Sequence, residues 1–222
     1  MSSIAASVEN GTTGAPAAGP FDDPARQRHA ATLGMWIFLT TETLFFGALF
    51  FGYAIARVNF PGAFAAASRH TNLVLGTLNT AVLLTSSFFM ALAVRAAARR
   101  THRAAARLLV VTALLGAVFV TIKLTEYALD YREHLVPVLD FVFAPDDARG
   151  AEMFFWLYFT ATGLHLVHLS IGMAIVLIFA WLSHRAQTPR LDVKIEIAGL
   201  YWHFVDLVWI FLYPLLYLVS RA

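Results

Sequence analysis

The stretch from Ile197 to Val219 is long enough to cross a bilayer as a helix, for which about 20 apolar residues suffice, yet it keeps His203 and Asp206 inside it. An ionisable group in hydrocarbon costs roughly 2.5 to 3.5 kcal/mol on insertion scales, so both must turn toward protein or a bound polar group. They lie three residues apart and so share one helical face. The rest of the chain has to supply something for that face to meet.

Four more stretches have the same character: Leu33 to Ala56, Leu73 to Val94, Leu108 to about Leu129, and Met153 to Leu182. Of the residues, 59% are hydrophobic and only 14% charged, where a soluble domain averages roughly 45 to 50% and 25%. The expected fold is therefore all-α, a polytopic membrane bundle of five transmembrane helices occupying residues 29–222. The fourth span exceeds what a bilayer requires, which implies tilt or projection. Residues 1–28, rich in Ala, Gly, Ser and Thr and interrupted by Pro16, Pro20 and Pro24, read as a disordered tail; no basic segment leads into an apolar core as in a signal peptide. Asn59-Phe60-Pro61-Gly62 marks a turn, the loop from Asp130 to Glu152 has room for a short surface helix, and Pro214 should kink or end the last helix.

Ten Arg and Lys residues fall on the side of the N-terminus, five of them between Arg95 and Arg107, against five on the other side. The positive-inside rule then puts the N-terminus in the cytoplasm and the C-terminus outside. Because the basic residues cluster in loops, the net charge of +2 does not argue for nucleic acid. The absence of cysteine excludes disulfides, thiolate metal sites and haem attached through Cys.

Glu42, Lys123, Glu126 and Asp206 are formally charged and lie within spans. At the membrane centre they would together cost roughly 10 to 14 kcal/mol, comparable with a whole folding free energy, so they cannot all face lipid. Lys123 and Glu126, one turn apart, can pair within their helix, with a lipid headgroup contact near the outer boundary. Glu42 lies ~4 Å and His203 ~7 Å from the middles of their spans, both toward the cytoplasm, which predicts neighbouring first and last helices joined by Glu42 to His203. His203 and Asp206 either bond one another or reach other helices. His165 and His168, at i, i+3, would need further helices to complete a metal site, and interhelical hydrogen bonding is the simpler expectation. Gly76, Asn79 and Ser86 recur at helical spacing on the second span, and Ala48 with Gly52 makes a small-xxx-small pair that admits close helix approach. Trp202, Trp209, Tyr213 and Tyr217 read as packing or interface anchors.

These residues also resemble a known family. Tyr201-Trp202-His203-Phe204-Val205-Asp206 followed by Val208-Trp209-Ile210-Phe211-Leu212-Tyr213 resembles the last helix of subunit III of haem-copper oxidases. Glu42 with Leu44-Phe45-Phe46, Leu78-Asn79-Thr80, Glu126-Tyr127, and Gly163-Leu164-His165-Leu166-Val167-His168 with Ile171-Gly172 are similar to that family's other helices, in the same order, over Leu33 to Ser220. Seven-helix members carry two more N-terminal helices, so the lipid cleft those helices help to form is here incomplete or closed by another subunit.

The resemblance implies an accessory subunit of a respiratory terminal oxidase in a bacterial inner membrane. Such a subunit has no catalytic residue, metal or redox cofactor of its own. It packs on catalytic subunit I and on subunit II, which carry haem and copper, binds phospholipid, and supports stability and proton uptake. Glu42, Asn79, Lys123, Glu126, His165, His168, Trp202, His203, Asp206 and Trp209 are then buried structural or lipid-associated groups. A subunit III-like protein associated with nitric oxide reductase fits the same pattern. Outside the family, a small proton-coupled transporter would show inverted repeats and broken helices, and a haem-bearing membrane cytochrome would show paired histidines on two helices.

Overall fold

The computed structural model describes residues 24–137, 141–143, 148–185 and 190–218. Among the described residues six α-helices follow one another: α1 (Pro24–Asn59), α2 (Pro61–His70), α3 (Leu73–Ala98), α4 (His102–Arg132), α5 (Ala148–Arg185) and α6 (Leu191–Tyr213), with a π-helical turn at Pro214–Leu218. Five are long and apolar enough to cross a membrane, the short α2 being the exception.

Every span runs a few residues beyond its apolar stretch, because a helix continues into the headgroup region until a cap stops it. The tail expected over residues 1–28 lies outside the described residues as far as 23, and Pro24 to Arg28 are already helical. Pro24 opens a helix instead of breaking one, since a first-turn N–H has no partner to lose. Pro61 does the same for α2, so the expected turn at Asn59–Gly62 is the joint between two helices. Asp130, expected in a loop, belongs to the last turn of α4. No short surface helix occurs among the described residues of the loop that follows.

The caps show why these helices start and stop where they do. The Asn72 side chain accepts from the Leu75 amide at 3.1 Å, opening α3. At the far end of α3 the Arg100 amide donates to the Ala97 carbonyl and the Thr101 amide to Ala96, a Schellman closure with Arg100 left-handed at φ 56°. His134 closes α4 in the same way. These tight closures turn α3 back on α4 within three residues.

Helices α3, α4, α5 and α6 form a four-helix body, each packed on its chain neighbour and α6 also on α3. Helix α1 lies outside it, on α5 and α6, so the first and last spans are indeed neighbours. The most apolar stretch of α6 is 56% buried, against 11% for α1, which makes α6 the central element. Ala48 is exposed and a Cβ added at Gly52 would meet nothing, so that small-residue face is uncovered within the chain. Below Tyr213 the backbone passes into the π-turn, where a proline that cannot donate has replaced the ladder bond.

Helix α2 packs on α5 through Gly150, where an added Cβ would lie 2.4 Å from the Ala63 Cβ. Gly150→Ala must push the two backbones apart and is expected to lower stability by about 1 to 3 kcal/mol, read as a drop in the thermal midpoint of the purified chain in mild detergent. Gly52→Ala, at the open position, should leave that midpoint unchanged.

Candidate functional site

Polar groups at membrane depth fall into three places. The first is the end of the bundle that holds the π-turn. Lys123 and Glu126 are 0% and 1% exposed, with Nζ 3.0 Å from Glu126 Oε2. The ammonium also donates to the Tyr158 hydroxyl at 2.8 Å and the Tyr217 hydroxyl at 2.7 Å, so all three of its protons are engaged. The Tyr217 hydroxyl donates onward to Glu126, and that of Tyr158 to Asp130 Oδ2 at 3.2 Å. Lys123 Nζ lies 4.3 Å from the Tyr158 ring centroid, which adds cation–π attraction. The expected headgroup contact is absent: burial by α5 and the π-turn closes the pair off from lipid.

The second place is a groove of about 490 Å³ between α1, α5 and α6, with Glu42 and His168 at one end and Lys194 at the other. Here the expected Glu42 to His203 contact is corrected. Glu42 Oε2 lies 3.1 Å from Nε2 of His168, on α5. Although α1 touches both helices, the side chain of Glu42 leans to α5, while His203 turns to α3. The His168 Nδ1 lies 2.8 Å from the Leu164 carbonyl, and a carbonyl only accepts, so Nδ1 carries a proton. Nε2 and Glu42 therefore share one further proton, as imidazolium with carboxylate or imidazole with carboxylic acid. Either way the pair is neutral overall, which suits its depth. The walls are apolar, among them Phe38, Ile171, Ile175 and Tyr201, and the Tyr201 hydroxyl donates to the His168 carbonyl at 3.0 Å.

The third place is the seam between α3 and α6. Ser87 Oγ lies 2.6 Å from His203 Nδ1, the Trp202 indole donates to Ser86 at 2.9 Å and that of Trp209 to Thr80 at 3.0 Å. Both tryptophans are buried, at 0% and 1% exposure, so they are core residues and not interface anchors. Tyr217 is likewise buried, while Tyr213 meets Thr77 at 2.7 Å. Asp206 does not pair with His203 and forms no well-made hydrogen bond, though the Ser87 side chain lies within reach; among the described residues both ring nitrogens of His165 and the side-chain amide of Asn79 are buried with no hydrogen-bond partner. His165 was expected to bond across helices. Instead its ring is held by aromatic packing, with centroids 5.6 Å from Phe119 and 5.2 Å from Trp209. His165 and His168 thus diverge, one into the four-helix body and the other toward α1. Among the described residues no group of three His, Cys, Asp or Glu side chains is placed to share a metal ion.

Tyr158, Asp130, Ser87 and Lys194 were not foreseen, and Tyr217 was expected only as a packing or interface anchor. Asp130 carried a legible signal, since it follows Lys123 and Glu126 at i+7 and i+4 on one stripe. Tyr217 carried none, because the π-turn re-aims it.

The charged cluster yields a double-mutant test. Lys123→Met strands Glu126 and should cost about 3 to 5 kcal/mol, whereas Lys123→Met/Glu126→Gln should recover much of that loss. Unfolding curves of the two variants in mixed micelles measure the difference.

The comparisons bear on the whole bundle. Residues 23–221 match the family model described as cytochrome c oxidase subunit III. The chain is 30% identical over 192 residues to the cytochrome c oxidase subunit 3 of Thermostichus vulcanus, covering 85% of this chain and 87% of that one. It is 32% identical over 190 residues to the quinol oxidase subunit 3 of Bacillus spizizenii, with 85% and 86% covered. The cytochrome c oxidase subunit 3 of Corynebacterium diphtheriae is 30% identical over 214 residues, covering 92% and 98%. With five membrane-spanning helices in place and the match running from the start of α1 past the π-turn, the chain belongs to the cytochrome c oxidase subunit III family, the third subunit of haem-copper terminal oxidases.

Proposed function

We propose that this chain is an accessory subunit without a redox centre, docked on catalytic subunit I and probing no electron itself, in a bacterial inner membrane. Haem and copper belong to subunits I and II in this reading. The observation that carries it is the uninterrupted match of all five spans to subunit III, and the self-contained Lys123 cluster supports it, since every ammonium proton there is consumed internally. The arginine-rich end, where α3 turns into α4, faces the cytoplasm by the charge asymmetry of the loops.

The groove between α1, α5 and α6 is the phospholipid site in this proposal. Lys194 sits near the start of α6, at headgroup level, and the apolar wall leads from it to the neutral Glu42–His168 pair. The lipid helps to hold α1 on the body and sustains proton uptake and turnover in the catalytic subunit. The uncovered small-residue face at Ala48 and Gly52 suits the approach of a helix from that subunit.

Purification of the tagged chain in a gentle detergent tests the proposal. It is expected to bring down a large assembly whose haem absorbance arises from other chains. Isolation as a free functional monomer, or haem bound to the isolated chain, would refute it. In the intact assembly, Lys194→Gln is expected to leave the initial oxidase rate unchanged and to hasten the loss of activity during turnover, followed with an oxygen electrode.

A further inference from the structure

Asn79 on α3 and His165 on α5 are 0% and 1% exposed. Among the described residues, neither the amide oxygen and nitrogen of Asn79 nor the two ring nitrogens of His165 meet a hydrogen-bonding group of the protein. A buried polar group left in that condition is costly, and native structures rarely keep one. Both residues lie on the buried stripes of their helices, Asn79 with Leu83 and Ser86, His165 with Leu169 and Gly172. Trp209 sets their common level. Its ring centroid is 5.2 Å from that of His165, and its indole donates to Thr80, the residue after Asn79.

The packing order of the body is α3 on α4, α4 on α5, α5 on α6 and α6 back on α3, so α3 and α5 stand diagonally opposed. Neighbouring helix axes at roughly 8 to 10 Å put diagonal ones roughly 11 to 14 Å apart, and Asn79 and His165 enter that diagonal from its two ends. The other polar groups at this level are taken. Lys123, whose Nζ is 5.8 Å from the Trp209 ring centroid, spends its three protons on Glu126, Tyr158 and Tyr217, and Thr80 serves Trp209. At such low exposure no lipid headgroup and no neighbouring chain reaches the two side chains. The occupant must therefore be small. It must also both donate and accept, because an amide brings two N–H donors and a carbonyl, and a neutral imidazole brings one N–H and one bare nitrogen. An ion of either sign satisfies only half of that set.

We infer that the four-helix body binds ordered water, at least one molecule, between Asn79 and His165. Water is the one small species that offers donors and acceptors together, and buried waters commonly make about three hydrogen bonds to polar groups that the protein leaves unpaired. Asn79 supplies an acceptor and donors from α3, and His165 supplies a ring nitrogen from α5. The water thereby joins two helices that do not pack on one another, next to the aromatic layer of Phe119 and Trp209. The inference concerns the folded chain itself and does not rest on docking to an oxidase or on the lipid in the α1–α5–α6 groove.

Solid-state NMR of the full chain in lipid bilayers, with nitrogen-15 in its histidines, tests it. The ring signals of His165 are those that disappear in His165→Phe. In the unaltered chain at least one of them is expected to show a cross-peak to water protons although the side chain is sealed from both membrane faces. Asn79→Leu, of similar size but without polar atoms, should lose most of that cross-peak. Asn79→Ser, which keeps a hydroxyl and leaves more room, should retain it. His168, bonded through Nδ1 to the Leu164 carbonyl, serves as the reference: its unshifted signals report that the bundle is intact in each variant. No water cross-peak at His165 in the unaltered chain would overturn the inference, as would an undiminished one in Asn79→Leu or its loss in Asn79→Ser.

Discussion

A buried ammonium in a membrane bundle has no water to fall back on, and the end of this molecule near the π-turn is arranged around that fact. Lys123 brings a full charge to the interior of α4, and three donors must find three acceptors there. Glu126 supplies one from the same helix, Tyr158 one from α5, and Tyr217 one from the π-turn. The ammonium therefore ties together segments 35 and 94 residues away in the chain. Tyr53 adds α1 to the same end by donating to the Leu215 carbonyl. An apolar bundle held by packing alone could slide in register; one held by this set of contacts has a fixed register at one end.

The other polar groups obey a looser rule. Glu42 and His168 satisfy one another at the edge of a groove, with a proton count that leaves no net charge. Among the described residues His165 and Asn79 are buried without side-chain hydrogen-bond partners, and buried Asp206 has only the Ser87 side chain within reach. Around His165 the rings of Phe119 and Trp209 fill the space that polar side chains would need. The polar network is thus concentrated toward the π-turn, while at the opposite end the described contacts include the Arg100 closure of α3 and the Arg28–Glu196 pair.

Much of this was legible in the chain before any coordinates. Five apolar stretches gave five spans, and the Lys123–Glu126 pair follows from spacing on one helix. What spacing cannot give is which neighbour a face meets. Glu42 was expected against His203 because depth along two helices was the available measure, and depth is equally compatible with His168 on α5. Helix rotation decides between them, and rotation is set by packing of all the spans at once. Tyr217 was hidden for a different reason. Pro214 signals an interruption, but whether the backbone stops, kinks or widens into a π-turn depends on contacts elsewhere, and here the wider turn aims the hydroxyl at Lys123. The helix ends were hidden because caps, and not hydrophobicity, set them.

The placement of α1 bears on how the protein is made. Its main contacts within the membrane are with α5 and α6, whose residues are synthesised more than a hundred positions later. A ribosome delivering this chain releases α1 into the bilayer well before those partners exist. During that interval Glu42 has no His168 beside it. The helix that enters the membrane first therefore waits for the last two spans before it can be seated.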